Sequence, residues 1–198
     1  MTHPRAAFIT GASEGIGAAL ARRYAARGWT VGLVARRREL LENVARDLRA
    51  PACLYPVDVR DAASLRDAAH DFIAKAGVPE VVIANAGVSA GNLTEIGDDL
   101  EVCEWIFDVN VIGVARTLQP FVGPMREARR GRLVGIASVA GIRGMPGAGA
   151  YCLSKSAVIT YLESLRVELR GTGVGVTTLL PGYIATSMTD KNPYPMPF

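Results

Sequence analysis

The chain has 198 residues, 49% of them hydrophobic and 21% charged, and its formal net charge is +3. This length predicts a single domain, and the composition is that of a globular protein with a full core, which excludes a disordered chain or a disulfide-stapled mini-fold. So small a net charge gives no reason to expect nucleic-acid binding. The three cysteines, Cys53, Cys103 and Cys152, and the two histidines lack metal-ligand spacing, so we expect no metal site and no disulfide framework.

No signal peptide or membrane span is expected. The apolar run that follows the first five residues stops at Gly11, which is too short for either. Together with the reduced thiols that the cysteine pattern indicates, this predicts a cytoplasmic protein.

Short apolar runs alternate with longer amphipathic stretches along the whole chain. The runs, rich in β-branched residues, are 6–9, 30–34, 53–57, 81–84, 133–136 and 174–180. The amphipathic stretches are 16–27, 39–48, 62–76, 100–129 and 151–170, and most are followed by glycine, as helix ends are. Continuous apolar runs are typical of strands buried on both faces. The pattern predicts an α/β fold with a doubly wound, Rossmann-type parallel sheet of six strands flanked by helices.

Two segments depart from this regularity. The helix predicted over 100–129 contains Asn110 and Gly113, and we expect it to bend or break there. The last segment, 192–198, alternates proline with other residues, which predicts a loop because proline lacks the backbone N–H that a helix or central strand needs.

A glycine-rich loop follows the first predicted strand. Residues 10–17 read TGASEGIG and open the first predicted helix. Unpaired amides and the positive end of the dipole at a helix N-terminus attract a pyrophosphate, and glycines let it approach closely. A βα turn without a ligand would have the same glycines, but the strand–turn–helix context favours dinucleotide binding.

The end of the second predicted strand bears on which dinucleotide binds. An NAD site has a carboxylate about 20 residues after the glycine loop to bind the ribose 2′-hydroxyl. Here the strand is followed instead by Arg36, Arg37 and Arg38. Guanidinium groups bind phosphate, so we expect NADP(H) in preference to NAD(H), with the 2′-phosphate on Arg36 and Arg37.

A candidate for proton transfer lies further along the chain. Tyr151 and Lys155 are four residues apart and therefore share one face of the predicted helix. An ammonium near a phenol lowers the phenol pKa, which suits a general acid or base. Ser138 follows the fifth strand, at the sheet edge where open α/β folds bind ligands.

These motifs together resemble the short-chain dehydrogenase/reductase family. The matching segments, in family order, are TGxxxGxG at 10–17, Asp58-Val59, Asn85-Ala86-Gly87, Asn110, Ser138, Tyr151-x-x-x-Lys155 and Pro181-Gly182. The resemblance covers residues 6 to about 188. It implies a single-domain enzyme in which the cofactor carries the hydride and the protein supplies orientation and a proton path.

The resemblance also implies a catalytic role for four residues. Tyr151 would protonate the carbonyl oxygen in reduction or accept the proton in the reverse direction. Lys155 would bind the nicotinamide ribose and depress the Tyr151 pKa, and Ser138 would hydrogen-bond the substrate oxygen. Asn110 would support a water that links Lys155 to solvent.

The cofactor-binding residues implied are grouped by segment. They are Gly11, Ser13, Glu14, Gly15, Ile16 and Gly17 of the loop, Arg36 and Arg37, Asp58 and Val59 beside the adenine, Asn85, Ala86 and Gly87 along the adenosine ribose, Tyr151 and Lys155, and Pro181, Gly182, Ile184 and Thr186 along the nicotinamide.

Two features depart from the family pattern. NADP-dependent relatives often have a basic residue at position 14, but this chain has Glu14, which Arg36 and Arg37 would have to outweigh. Relatives also continue past this point with further helices and a seventh strand. We therefore expect the domain, residues 1–198, to be truncated within the substrate lid loop near 185–198.

The expected activity is an NADP-dependent carbonyl reductase or alcohol dehydrogenase acting on a small-molecule ketone, aldehyde or secondary alcohol. The alternatives are a catalytically silent dinucleotide-binding sensor or scaffold, and an inactive fragment. Helices 100–129 and 151–170 have enough apolar positions for a core and a subunit contact, so a homodimer or homotetramer is expected. Positions that would give the substrate apolar walls are Val88, Ile142, Met145, Pro146, Tyr183 and Met188.

Overall fold

The computed structural model describes residues 5–186 and 188. The strands are β1 (Ala6–Thr10), β2 (Thr30–Ala35), β3 (Ala52–Pro56), β4 (Val81–Ala84), β5 (Gly131–Ile136) and β6 (Val174–Leu179). The helices are α1 (Gly15–Ala25), α2 (Arg38–Arg46), α3 (Ala62–Ala76), α4 (Asp99–Phe107), α5 (Gly113–Glu127) and α6 (Gly149–Glu168). The predicted strands and helices are all present, with ends that shift by one or two residues.

The six strands form one parallel sheet in the order β3-β2-β1-β4-β5-β6. The chain winds outward from β1 to β3 and then crosses back to β4, so the winding reverses between β1 and β4. In an open α/β sheet, ligands bind at the carboxyl ends of the strands beside such a reversal. The Rossmann-type fold class predicted from the sequence is confirmed.

Two hydrophobic cores lie on opposite faces of the sheet, and alternate residues of β1 pack into each of them. Phe8 packs among Phe72 of α3 and Phe121 of α5, with ring centroids 5.4 and 4.9 Å away. Ile9 points to the other face of the sheet, where it packs in the core that includes Leu33 and Leu41. Because successive strand side chains face opposite ways, this central strand is buried on both faces and fixes the position of the loop that follows it.

The long helix predicted over 100–129 does not break, because its backbone stays helical from Asp99 to Glu127. Helices α4 and α5 are joined by a π-helical turn at Asp108–Ile112, which contains Asn110. Gly113 follows this turn, and a Cβ there would lie 2.9 Å from Val59 Cγ2, so the glycine lets the helix pass close to the end of β3. Single π-helical turns are frequent at functional sites.

Other expectations concern the end of the chain and the membrane. The proline-rich segment 192–198 and most of the expected lid loop near 185–198 lie outside the described residues. Within the part of the chain that the structure describes, none of the helices has the length and apolar character needed to cross a bilayer.

Candidate active site

A cleft of about 260 Å³ runs along the carboxyl ends of the strands. It begins at the glycine loop between β1 and α1, passes the end of β2, and reaches Tyr151 and Lys155 on α6. Residues from the segment after β6 close its far side, where Thr186 Cγ2 lies 3.3 Å from the position a Cβ would take on Gly15. The cleft therefore extends from the glycine loop to α6, and its α6 end has the residues that sequence analysis assigned to proton transfer.

The glycine loop is shaped by close backbone contacts. Gly11 has φ of +65°, a conformation that L side chains rarely adopt. A Cβ on Gly17 would lie 2.2 Å from the Gly11 carbonyl oxygen, so α1 packs directly on the loop before it. The first amides of α1 have no acceptor within the helix and lie at the end of the cleft. These features fit a bound pyrophosphate, which needs free amides and no intervening side chain.

The end of β1 is tied to the end of β4 by side chains. Thr10 Oγ1 accepts hydrogen bonds from the backbone amides of Asn85 and Ala86, at 3.2 and 3.3 Å. Asn85 Nδ2 donates to the carbonyls of Thr10 and Gly11, at 3.0 and 3.1 Å. The contacts cross the point where the winding of the sheet reverses, and they fix the two loops that flank the middle of the cleft.

The end of β2 brings positive charge to the cleft. Arg36 and Arg37 both line it, as predicted, and so does Glu14. Glu14 forms an ion pair with one of these arginines: its Oε1 accepts a hydrogen bond from Arg37 Nη2 at 3.0 Å. The arginines were expected to outweigh Glu14, and this contact shows that Arg37 is the one that faces it.

A second ion pair lies at the same end of the cleft. Arg60 binds Asp58 through two nitrogens, with Nη2 at 2.8 Å from Oδ2, and its amide donates to Oδ1 at 2.9 Å. These bonds to Arg60, with weaker attraction from Arg36, hold the pKa of Asp58 below its usual range. Asp58 is thus anionic and oriented beside the cleft, and Arg60 is a residue that sequence analysis missed.

Ser138, Tyr151 and Lys155 meet at the other end of the cleft. Ser138 follows β5, and its Oγ accepts from the Ala140 amide at 3.1 Å and lies 3.4 Å from the Pro181 carbonyl oxygen, to which it donates. Lys155 Nζ donates to the Ile136 carbonyl at 2.8 Å and lies 5.7 Å from the centroid of the Tyr151 ring. Ser138, Tyr151 and Lys155, which sequence analysis assigned to the catalytic site, therefore lie at one end of the same cleft.

Burial controls the protonation of this group. Desolvation lowers the pKa of Lys155 from 10.5 to about 8, and it raises the pKa of Tyr151, which the Ser138 hydroxyl lowers in part. The predicted lowering of the Tyr151 pKa by Lys155 is therefore wrong for the protein alone. Burial penalises the charged forms of both side chains, so the ammonium and the phenolate are each disfavoured.

Asn110 lies behind the cleft and is completely buried. Its Oδ1 accepts from the Val88 amide at 2.8 Å, and its Nδ2 donates to the Val88 carbonyl at 2.9 Å and to Ser154 Oγ at 3.0 Å. A Cβ on Gly87 would lie 3.4 Å from Asn110 Oδ1 and 3.5 Å from Lys155 Nζ. Gly87 therefore lies against both side chains.

Most of the predicted site residues line one cleft. They are Gly11, Ser13, Glu14, Gly15, Ile16, Arg36, Arg37, Asp58, Val59, Asn85, Ala86, Gly87, Ser138, Tyr151, Lys155, Pro181, Gly182, Ile184 and Thr186. The two exceptions are Gly17, which packs under the loop, and Asn110. Of the expected substrate walls, Val88 and Met188 line the cleft and the other four do not.

Several residues of the site were not predicted. Val34, Ala35, Val57, Val109, Ile136 and Ala137 also line the cleft. All but Val109 lie at or next to the carboxyl ends of strands, so the predicted strand ends could have indicated them. Ser154, which holds Asn110, had no signal beyond its place between Tyr151 and Lys155. Among residues 5–186 and 188 no group of three or more metal-ligating side chains is found.

Comparison with known proteins agrees with this geometry. The profile of the short chain dehydrogenase family matches residues 5–195. An uncharacterised oxidoreductase of Myxococcus xanthus is 41% identical over 98% of this chain and 78% of its own length.

Solved structures are similar over nearly the whole fold. A short-chain dehydrogenase/reductase from Burkholderia phymatum, solved in complex with NAD, has a TM-score of 0.88 at 32% identity, over 96% of this chain and 70% of that one. A metagenomic short-chain oxidoreductase, solved in complex with NADP, has a TM-score of 0.84 at 31% identity, over 91% of this chain and 83% of that one. The sequence profile, the relatives and the fold agree: this chain is an oxidoreductase of the short-chain dehydrogenase/reductase family.

Proposed function

We propose that this chain is an NADP(H)-dependent oxidoreductase that interconverts a ketone or aldehyde and the corresponding alcohol, with Tyr151 as the general acid or base. The observation that carries the proposal is the cleft itself. One end has the glycine loop and the first amides of α1, and the other has Ser138, Tyr151 and Lys155.

The residues along the cleft fit a nicotinamide dinucleotide. The glycine loop and α1 would hold its pyrophosphate, Asp58 and Val59 its adenine, and Asn85, Ala86 and Gly87 its adenosine ribose. Pro181, Gly182, Ile184 and Thr186 would hold its nicotinamide. The bound cofactor would supply or accept the hydride at the substrate carbon.

The protein's own contribution is to move one proton. In reduction, the Tyr151 phenol gives its proton to the substrate oxygen as the carbon gains the hydride, and the Ser138 hydroxyl donates a hydrogen bond to the same oxygen. The raised pKa of Tyr151 keeps the phenol protonated in the protein alone. A general acid works best with a pKa near the working pH, and the positive charge of Lys155 would lower the pKa of Tyr151 toward it. Lys155 then carries positive charge toward the phenolate that forms, and Asn110 supports the water that returns the proton.

Charge at the end of β2 supports NADP(H) over NAD(H). Glu14 is paired with Arg37, and Arg36 lies in the same part of the cleft without an ion pair of 4.0 Å or less among the described residues. A 2′-phosphate there would meet one available guanidinium and a second held in place by Glu14. The hydroxyl of NAD would leave that charge without an anionic partner.

The proposal extends to assembly and location. Leu100, Ile112, Leu153 and Val167, on α4, the π-helical turn and α6, are 66, 45, 60 and 72% exposed, which supports a homodimer or homotetramer. Cys53, Cys103 and Cys152 are free thiols, which supports a cytoplasmic location.

The first experiment is a fluorescence titration of the purified protein with NADPH and, separately, with NADH, followed by a screen of ketones and aldehydes. Tighter binding of NADPH and consumption of it with a carbonyl compound would support the proposal. Tighter binding of NADH would refute the cofactor preference. Binding without turnover of any carbonyl or alcohol would favour a silent dinucleotide-binding module, and failure of both cofactors to bind would favour an inactive fragment.

A further inference from the structure

Helix α6 carries Tyr151 in its first turn, but the residues before the helix do not cap it. The helix begins at Gly149, and the preceding Ala148 has no side chain that can accept a hydrogen bond. The first amides of any helix lack acceptors within it, and an uncapped end frays. The segment that carries the proposed proton donor thus depends on an acceptor from elsewhere.

Asn92, in the loop after β4, supplies that acceptor. Its Oδ1 accepts from the Ala150 amide at 3.0 Å, across 58 residues of chain. Ala150 is the second residue of α6, one of the two whose amides an N-cap side chain ordinarily binds. The Asn92 amide also donates to the Gly147 carbonyl at 2.9 Å, and Asn92 pairs with Ala148 as an isolated parallel bridge.

Asn92 is itself fixed on its other side. Its Nδ2 donates to Cys103 Sγ on α4 at 3.8 Å, and the next amide, of Leu93, donates to Asp99 Oδ2 at 2.6 Å. Asn92 is half-buried, whereas its neighbours Gly91 and Leu93 are exposed. Asn92 is therefore held from both sides: its side chain accepts from α6 and donates to α4.

We propose that Asn92 is a positioning residue for Tyr151: it caps helix α6 from the loop after β4 and so holds the phenol beside Ser138. The inference rests on the proposed function of Tyr151 as proton donor. Tyr151 directly follows the capped Ala150, whereas Lys155 lies one turn further in and is anchored on the Ile136 carbonyl. Loss of the cap would therefore displace Tyr151 relative to Lys155 and leave the glycine loop unchanged.

The test compares Asn92→Ala with Asn92→Asp. Aspartate keeps an oxygen acceptor and adds a charge that the helix N-terminus favours, but it removes the donor to Cys103. The matched control is Asn43→Ala on α2, which removes an exposed asparagine whose Oδ1 is bound by Arg46. For each protein, amide hydrogen exchange of residues 149–155, the NADPH dissociation constant and kcat with a carbonyl compound from the screen are measured.

We expect Asn92→Ala to speed exchange at 149–152 by about fivefold, the equivalent of a lost N-cap. We expect kcat to fall about 10- to 100-fold through misplacement of the reacting group, with NADPH binding within about threefold of wild type. Asn92→Asp should restore both exchange and kcat, and Asn43→Ala should match wild type.

Other outcomes separate the ideas. Unchanged exchange in Asn92→Ala, or faster exchange with unchanged kcat, would overturn the inference. So would a loss of NADPH binding as large as the loss of turnover, because that would mark a general structural defect. Absence of turnover in the wild type would refute the proposed function instead, and exchange would then decide alone whether Asn92 holds the first turn.

Discussion

Asn110 Nδ2 donates to Ser154 Oγ at 3.0 Å, and this bond joins the π-helical turn to helix α6. Ser154 Oγ in turn donates to the Tyr151 carbonyl at 2.7 Å, and both Asn110 and Ser154 are completely buried. Asn110 of the π-helical turn is therefore connected to the backbone of the proposed proton donor through one hydroxyl.

Ser154→Ala should show the importance of that hydroxyl. The substitution leaves a buried Asn110 donor with one partner fewer, and we expect a loss of about 1–3 kcal/mol in the free energy of unfolding, measured with urea. Ser164→Ala on the same helix removes an exposed hydroxyl and should change the unfolding free energy by less than about 0.5 kcal/mol. Equal effects of the two substitutions would contradict the proposed link.

Tyr151→Phe tests the proton donor. Removal of one phenolic oxygen should lower kcat by about 10²–10⁴-fold, because general acid–base catalysis contributes that much, while NADPH binding persists. The measurement is steady-state turnover beside a fluorescence titration. Tyr161→Phe, a partly buried tyrosine on the same helix, serves as the control. Persistent activity in Tyr151→Phe would show that the proposed mechanism is wrong.

Arg36→Ala and Glu14→Gln should move the cofactor preference in opposite directions. Loss of a charge-assisted hydrogen bond to phosphate should weaken NADPH binding about 10- to 100-fold and leave NADH binding nearly unchanged. Glu14→Gln removes a negative charge beside the same site and should favour NADPH by a few-fold. Arg38→Ala, two residues further along the chain and outside the cleft, should alter neither affinity. An equal loss of both cofactors in Arg36→Ala would refute the 2′-phosphate contact.

Gly17→Ala should damage the loop although alanine favours helix. Its Cβ would lie 2.2 Å from the Gly11 carbonyl oxygen, a backbone atom that cannot move without displacing the loop. We expect loss of NADPH binding and a fall of about 1–3 kcal/mol in stability. Gly123→Ala, on α5 with no heavy atom within 4 Å of its Cβ, should be neutral or slightly stabilising. Near-normal NADPH binding by Gly17→Ala would exclude this packing as a requirement.

Lys155 should make stability depend on pH in the alkaline range. Its pKa falls from 10.5 to about 8 on folding, so between these values the unfolded chain binds more protons than the folded one. Stability should therefore rise as pH increases from about 8 to 10.5, by at most about 3 kcal/mol, because each pKa unit corresponds to about 1.4 kcal/mol. The measurement is urea unfolding of wild type and Lys155→Met across this pH range. Only the wild type should show an increase in the free energy of unfolding. Parallel curves would show that Lys155 titrates normally.

The sequence by itself determined the fold class and many of the residues that line the cleft. Alternating apolar runs and amphipathic stretches depend only on residue order, and parallel strands place the residues that follow them at one edge of the sheet. For that reason the glycine loop, Arg36 and Ser138 were predicted at the ends of strands, although they are far apart in the chain, whereas Asn85 was implied only by the family resemblance.

Only the tertiary structure decided how these groups affect one another. The sequence contained Glu14 and Arg37 but not their 3.0 Å contact, and it contained Lys155 without the burial that lowers its pKa to about 8. Asn92 had no local pattern at all, because the helix it caps begins 57 residues later. Ion pairs, desolvation and long-range caps depend on distances across the folded chain, which residue order alone does not specify.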